Sequence, residues 1–246
     1  MCMKSEIQEI KNKFKIDLHM HTIASGHAFS TLDEMAREAA QKGLEMIAIT
    51  DHGPSVPGTA VETYFRCGER FLNTMHGVHI LFGVEANILD TKGRIDLSES
   101  TLQRLDIVIA GFHRFEDLGV EKNTEAMIMT IKNPHVNIIS HPYILNVEVD
   151  IEKISRVAIE NNVLLEINAS FFYRERKLND EKIQHKIKKM IEIFQKHNKK
   201  LILTSDAHSA SEIKKFDKVI ERFPELGLSE KDFLLTKKDI LEFLKK

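Results

Sequence analysis

Short apolar runs alternate with stretches of helical periodicity along the whole chain. Phe14 to Leu18, Leu44 to Thr50, Val78 to Glu85, Asp106 to Phe112, Val136 to Ser140, Val163 to Asn168 and Leu201 to Ser205 each read as a strand. Several are apolar at consecutive positions, as in Ile107-Val108-Ile109-Ala110 and Ile138-Ile139. That pattern points to strands covered on both faces, as in a parallel sheet, and away from half-exposed hairpins.

The stretches between them carry helix ends. Thr31 and Glu34 have the spacing of a capping box, Leu32, Met35, Ala36, Ala39 and Ala40 share one helical face, and Gly43 supplies a left-handed stop. A second helix is predicted over Thr59 to Met75, ending near Gly77. A third starts at Asn123 and stops before Pro134, because proline disfavours helix in the residue before it. Helices over Asp150 to Asn161, Asp180 to His197, Ser209 to Arg222 and Thr236 to Lys246 follow. The crossover from Ala86 to Leu105 has room only for a turn at Asp90 to Gly93 and a short helix. Seven strand-then-helix units with short links predict an α/β fold, a parallel barrel one strand short of the familiar eight, with an open doubly wound sheet as the alternative. No linker, low-complexity run or charge block divides the chain, so residues 1–246 read as a single domain.

Composition narrows the class. The 246 residues are 42% apolar, 29% charged and 7% aromatic, which suits one core of this size. With 35 Lys and Arg against 37 Asp and Glu, the formal net charge of -2 provides no general attraction to nucleic acid or anionic membrane. No apolar run approaches the roughly 20 residues of a membrane span, and Met1 to Lys15 lack the apolar centre of a signal peptide. Two cysteines, Cys2 and Cys67, make no disulfide framework, so the expected compartment is the cytoplasm.

The 12 histidines change the picture. In a parallel barrel the loops after the strands converge on one mouth, where sites are built. His19, His21 and His27 follow the first strand and His52 the second; the third ends at Glu85, the fourth at His113 and the fifth at His141. The seventh is followed by Asp206 and His208. The sixth, ending at Asn168, offers no strong ligand. His19 and His21 are two apart, so in extended backbone they point to one side, and Asp206 and His208 repeat that arrangement. Imidazole suits zinc, and manganese or iron where carboxylates share the site. Nine candidate ligands are too many for one ion and suffice for two or three, with Glu85 able to bridge. Closely spaced ions generate hydroxide near neutral pH and clamp both oxygens of a phosphoester displacement. His76, His79, His135, His185 and His197 read as solvated, and Cys67 as a packed or half-exposed thiol.

Asp17-Leu18-His19-Met20-His21-Thr22, Ile49-Thr50-Asp51-His52, Gly83-Val84-Glu85, Gly111-Phe112-His113, Ile139-Ser140-His141-Pro142 and Ser205-Asp206-Ala207-His208 resemble, in order, the motifs of the PHP (polymerase and histidinol phosphatase) superfamily. Ala48 to Pro54 and Ile109 to His113 resemble in particular its YcdX-like branch of small phosphatases. The resemblance implies a distorted seven-stranded (β/α)7 barrel, TIM-barrel-like, with a metal cluster at the C-terminal mouth of the strands. It also implies a trinuclear zinc site and phosphatase or phosphoesterase activity. Carried over residue by residue, His19, His21, Glu85 and Asp206 hold a first ion, His27, His52 and His208 a second, and Glu85, His113 and His141 a third. Arg114 departs from the acidic residue expected after His113.

The expected substrate is a small phosphate ester attacked by a metal-bound hydroxide, with no protein nucleophile. Asp17 and Asp51 adjoin ligands and either orient imidazoles or cap turns; Asp51 is alternatively a proton shuttle. Among Arg174, Arg176 and Lys177, Arg176 is the candidate phosphate clamp, against the alternative of a solvated charge run. Histidinol-phosphate phosphatase is the nearest alternative. A metal-dependent exonuclease fits less well with three tyrosines and no tryptophan for stacking bases, and no stable nucleic-acid or membrane partner is expected. A non-catalytic metal-binding regulatory module is the alternative from another class.

Overall fold

The structure, a computed structural model, describes residues 2–144, 146–173 and 180–245. Seven parallel strands follow one another around a barrel: β1 (Ile16–Asp17), β2 (Met46–Ile49), β4 (Val78–Asn87), β5 (Ile107–Gly111), β6 (Ile138–Ile139), β7 (Leu164–Asn168) and β8 (Ile202–Thr204). Each falls inside or over an apolar run named above. The barrel closes through a single parallel bridge between Met20 and Ala207, where the His21 N–H donates to the Ala207 carbonyl at 2.8 Å. The closed form replaces the open-sheet alternative.

Inner and outer residues alternate with the pleat. Ile16, Leu18, Met46, Ala48, Leu81, Ile107, Ile109, Ile138, Leu164 and Ile202 form one buried cluster inside the barrel, joined by Ile240. Their neighbours Val84, Val108, Ala110, Ile139, Leu165, Ile167 and Leu203 belong instead to the large cluster shared with the helices. The apolar layer therefore sits toward the strand beginnings, which leaves the strand ends for polar chemistry.

The helices differ from expectation in four places. α1 (Cys2–Lys13) occupies an N-terminal stretch for which no helix was predicted. The helix expected over Thr59 to Met75 is only α3 (Glu62–Phe65) and a 3-10 turn, after which β3 (Thr74–Met75) turns back antiparallel onto β4 through His76 and Gly77, both at positive φ. The helix expected over Ser209 to Arg222 is instead a 3-10 turn (Ala210–Glu212) and α8 (Asp217–Glu221), with Lys214 at positive φ in the break between them; α9 (Phe223–Leu226) follows beyond Arg222. The third predicted helix starts at Val120, after Gly119 at positive φ, and not at Asn123. Elsewhere the end signals hold: Thr31 and Glu34 close a capping box on α2 (Leu32–Gln41), and Gly43 has φ +68°. α4 (Glu99–Leu102), α5 (Val120–Ile131), α6 (Ile151–Glu160, capped by Asp150), α7 (Glu181–Lys196, capped by Asp180) and α10 (Lys237–Leu244, boxed by Thr236 and Asp239) fill the remaining crossovers.

Candidate metal centre

The nine candidate residues meet at the strand ends, around Glu85. Its position follows from parity: Leu81 faces the barrel interior, so Glu85, four residues on in the same strand, faces inward above it. The Glu85 carboxylate is fully buried. Oε1 lies 3.1 Å from both His113 Nε2 and His141 Nε2, and Oε2 lies 3.2 Å from His19 Nε2, 3.5 Å from His21 Nε2 and 3.0 Å from His52 Nδ1. Asp206 Oδ1 approaches His21 Nε2 at 3.2 Å and His19 Nε2 at 3.6 Å. On the outer side His208 Nε2 and His27 Nε2 are 3.0 Å apart, and the His27 and His52 rings stack at 5.0 Å. All nine are connected, and none is turned away.

The donor atoms fit a cation. His19 Nε2 and His21 Nε2 point at each other across 3.2 Å, with two carboxylates alongside. Buried His52 Nδ1, Glu85 Oε2, His113 Nδ1 and His141 Nδ1 have no hydrogen-bond partner among the described residues, a state that is costly unless something else satisfies them. Three triplets, His19–His21–Glu85, His52–Glu85–His113 and His21–His52–His208, each hold one ligand atom per residue within 4.8 Å of the others. The triplets share members, so they overlap the three groupings expected by resemblance without reproducing them.

Charge is balanced by placement. Burial opposes ionisation of His19, yet Glu85, Glu166 and Asp206 together hold its pKa well above the usual imidazole range. Burial likewise opposes charge on His141, which the Glu85 carboxylate outweighs. Burial drives His21 well below the usual range despite its contact with Asp206, and lowers His27 together with His52 and His208. For Glu85 and Asp206, burial is overcome by facing imidazoles, and both carboxyls are held well below their ordinary values.

Two strand ends are backbone-strained. His141 has φ +32° and Asp206 φ +54°, left-handed conformations that ordinary residues avoid. The strain is held by hydrogen bonds at 141, where the N–H donates to Glu166 Oε2 at 2.6 Å. Asp206 Oδ2 accepts from Asn168 Nδ2 at 3.1 Å and Ser170 Oγ at 3.3 Å. Such positions cluster at functional sites.

Glu166 is the residue that sequence reasoning missed. It lies on the sixth parallel strand, β7, which was expected to offer no strong ligand, and it is fully buried. The signal was present: a carboxylate between Leu164 and Asn168 on the inward parity of an otherwise apolar run. Of the two adjoining aspartates, Asp51 accepts from the Thr22 N–H at 2.7 Å, Thr22 Oγ1 at 2.8 Å, Ser25 Oγ at 2.7 Å and Tyr64 Oη at 2.9 Å. Asp17 takes the backbone N–H groups of Ser205 and Lys214 at 2.9 and 3.0 Å and, among the described residues, contacts no imidazole at hydrogen-bond range, so it holds the backbone before Asp206. Arg174, Arg176 and Lys177 lie outside the described residues.

A parallel barrel with a histidine–carboxylate cluster in its C-terminal mouth defines a TIM-barrel-like α/β protein with a site able to hold metal. The chain belongs to the PHP family: the PHP domain model matches residues 17–205. A protein of Caldanaerobacter subterraneus subsp. tengcongensis, named "Probable phosphatase", is 44% identical over 237 residues, covering 94% of this chain and 90% of its own length. One of Acetivibrio thermocellus with the same name is 41% identical over 218 residues, covering 88% of each chain. Among solved structures, histidinol phosphate phosphatase of Lactococcus lactis, complexed with zinc, L-histidinol and phosphate, superposes with a TM-score of 0.58 at 17% identity, over 89% of this chain and 98% of that one. A chain of archaeal ribonuclease P with mature tRNA superposes at 0.53 and 12% identity, over 93% and 90%. These two likenesses establish the fold; one fold hosting both proteins shows why the activity must be argued from the site.

Proposed function

We propose that this protein is a metal-dependent phosphatase of small phosphate esters, with His19, His21, His27, His52, Glu85, His113, His141, Asp206 and His208 holding a cluster of three ions. The observation that carries the reading is a single buried carboxylate, Glu85, ringed by five imidazoles at 3.0–3.5 Å. Seven nitrogen-donor side chains with two carboxylates suit zinc best, and manganese or iron next. When bound, such ions supply Lewis acidity toward phosphoryl oxygens and lower the pKa of water.

The chain's own residues do the rest. Asn168 and Ser170 fix the Asp206 carboxylate, and Asp51 secures the loop that carries His21 and Ser25. The hollow over the cluster has a volume of about 200 Å³ among the described residues, and Ile144, Asn168, Ser170 and Phe171 line it beside the candidate ligands. That space takes a phosphoryl group and a compact leaving alcohol better than a polynucleotide.

The test is turnover of a panel of phosphate monoesters, an aryl phosphate and histidinol phosphate among them, before and after chelation and zinc restoration. The proposal expects activity that chelation abolishes and zinc restores. Full activity in the stripped protein refutes it, and zinc uptake without hydrolysis of any phosphoester replaces it with a non-catalytic metal-binding role.

A further inference from the structure

We infer that Glu166 and Ser25 are positioning residues that hold a proton on Nδ1 of His19 and of His21, so that both Nε2 atoms face the cluster. The inference deepens the metal reading above and rests on the direction of hydrogen bonds.

Ser25 is buried and sits among three polar partners. Its Oγ donates to Asp51 Oδ1 at 2.7 Å and accepts the His52 N–H at 3.1 Å. A hydroxyl has one proton and two acceptor sites, and the Asp51 carboxylate can only accept. The Ser25 proton is therefore committed to Asp51. The remaining contact, His21 Nδ1 at 3.0 Å, must then be an N–H donating to Ser25 Oγ. Asp51 thus acts on His21 through Ser25, a carboxylate–hydroxyl–imidazole relay.

Glu166 acts on His19 directly. Oε2 accepts the His141 N–H at 2.6 Å and Asn168 Nδ2 at 3.1 Å, while Oε1 faces the Thr204 hydroxyl and His19 Nδ1, the latter at 2.6 Å. The carboxylate serves four groups, so His19 Nδ1 is the donor. Partners of this kind orient ligating histidines and typically contribute 10–100-fold in metal affinity.

Two substitutions separate the two locks. Ser25→Ala removes the acceptor of His21 and leaves Asp51 three donors, from Thr22 and Tyr64. In Glu166→Gln the amide NH2 must face one pair of partners. The His141 backbone N–H cannot reverse, whereas an imidazole and a hydroxyl can, so the NH2 turns toward His19 and Thr204 and displaces the proton from His19 Nδ1.

The experiment is long-range 15N–1H NMR of the imidazole rings in the full chain, zinc-loaded and chelator-stripped, with zinc affinity from competition against a chelating indicator. In the wild type both rings keep their Nδ1 proton in both forms. Ser25→Ala changes His21 alone, Glu166→Gln changes His19 alone, and each lowers zinc affinity about 10–100-fold. An unchanged His21 ring in Ser25→Ala, or both rings changing together in each variant, overturns the inference. Should Glu166→Gln fail to fold, Ser25→Ala decides alone. A wild type that takes up no zinc defeats the metal reading, while the Nδ1 signals still decide the lock.

Discussion

Replacing Glu85 by glutamine keeps the shape of the side chain and removes a charge that five of the seven cluster imidazoles face. Its two oxygens lie 3.0–3.5 Å from five imidazole nitrogens. At an effective dielectric of 20, a unit charge at about 3 Å interacts with a cation by about 5.5 kcal/mol. Even a quarter of that, about 1.4 kcal/mol, is tenfold in affinity. The amide adds a second cost: whichever way it turns, its NH2 donates into lone pairs that a cation needs. Glu85→Gln is therefore expected to bind zinc at least 10–100-fold more weakly and to lose turnover. The assay is chelator competition with elemental analysis of the dialysed protein, alongside a circular dichroism melt to confirm folding. A folded variant with wild-type zinc affinity and turnover refutes the reasoning that Glu85 organises the site.

Two further predictions probe the scaffold. A Cβ at residue 53 would lie 2.4 Å from Asp96 Oδ1, and that carboxylate is pinned by the Ser55 and Asn87 N–H groups and Asn87 Nδ2. Gly53→Ala is expected to cost about 1–3 kcal/mol in denaturant unfolding and to weaken zinc binding through the adjacent His52; unchanged stability counts against it. Burial, reinforced by Lys15 and Lys11, holds the Lys214 ammonium down to about 8 from 10.5. Between those values the unfolded chain binds more protons, so stability rises with pH across about 8 to 10.5, while below about 8 the folded chain bears the buried charge. Lys214→Met is expected to remove on the order of 1–3 kcal/mol of that rise in denaturation at stepped pH, and identical slopes in both proteins contradict the assignment.

The barrel and the convergence of the nine candidate residues were legible because both rest on local signals. Consecutive apolar positions marked the strands, and six of the seven strand ends carried a candidate residue, so even two-residue strands such as β6 were found. The misses have physical causes. The segment after Thr59 has helix-compatible residues, but its chain reverses at His76 and Gly77 to pair β3 with β4, a tertiary preference that overrides local periodicity. Glu166 is not legible by the same signal because it lies within β7, one layer below the strand ends that carry the candidate residues. Ser25 has no distinguishing pattern; its role appears only when Asp51, His21 and His52 are brought around it.

The most direct measurement of the central claim is anomalous X-ray scattering at the zinc absorption edge, from crystals of the wild-type protein equilibrated with zinc. The account predicts peaks within coordinating distance of Glu85, His19, His21 and Asp206, with further peaks among His27, His52, His113, His141 and His208. A well-ordered crystal in which those nine side chains surround no anomalous peak would contradict it.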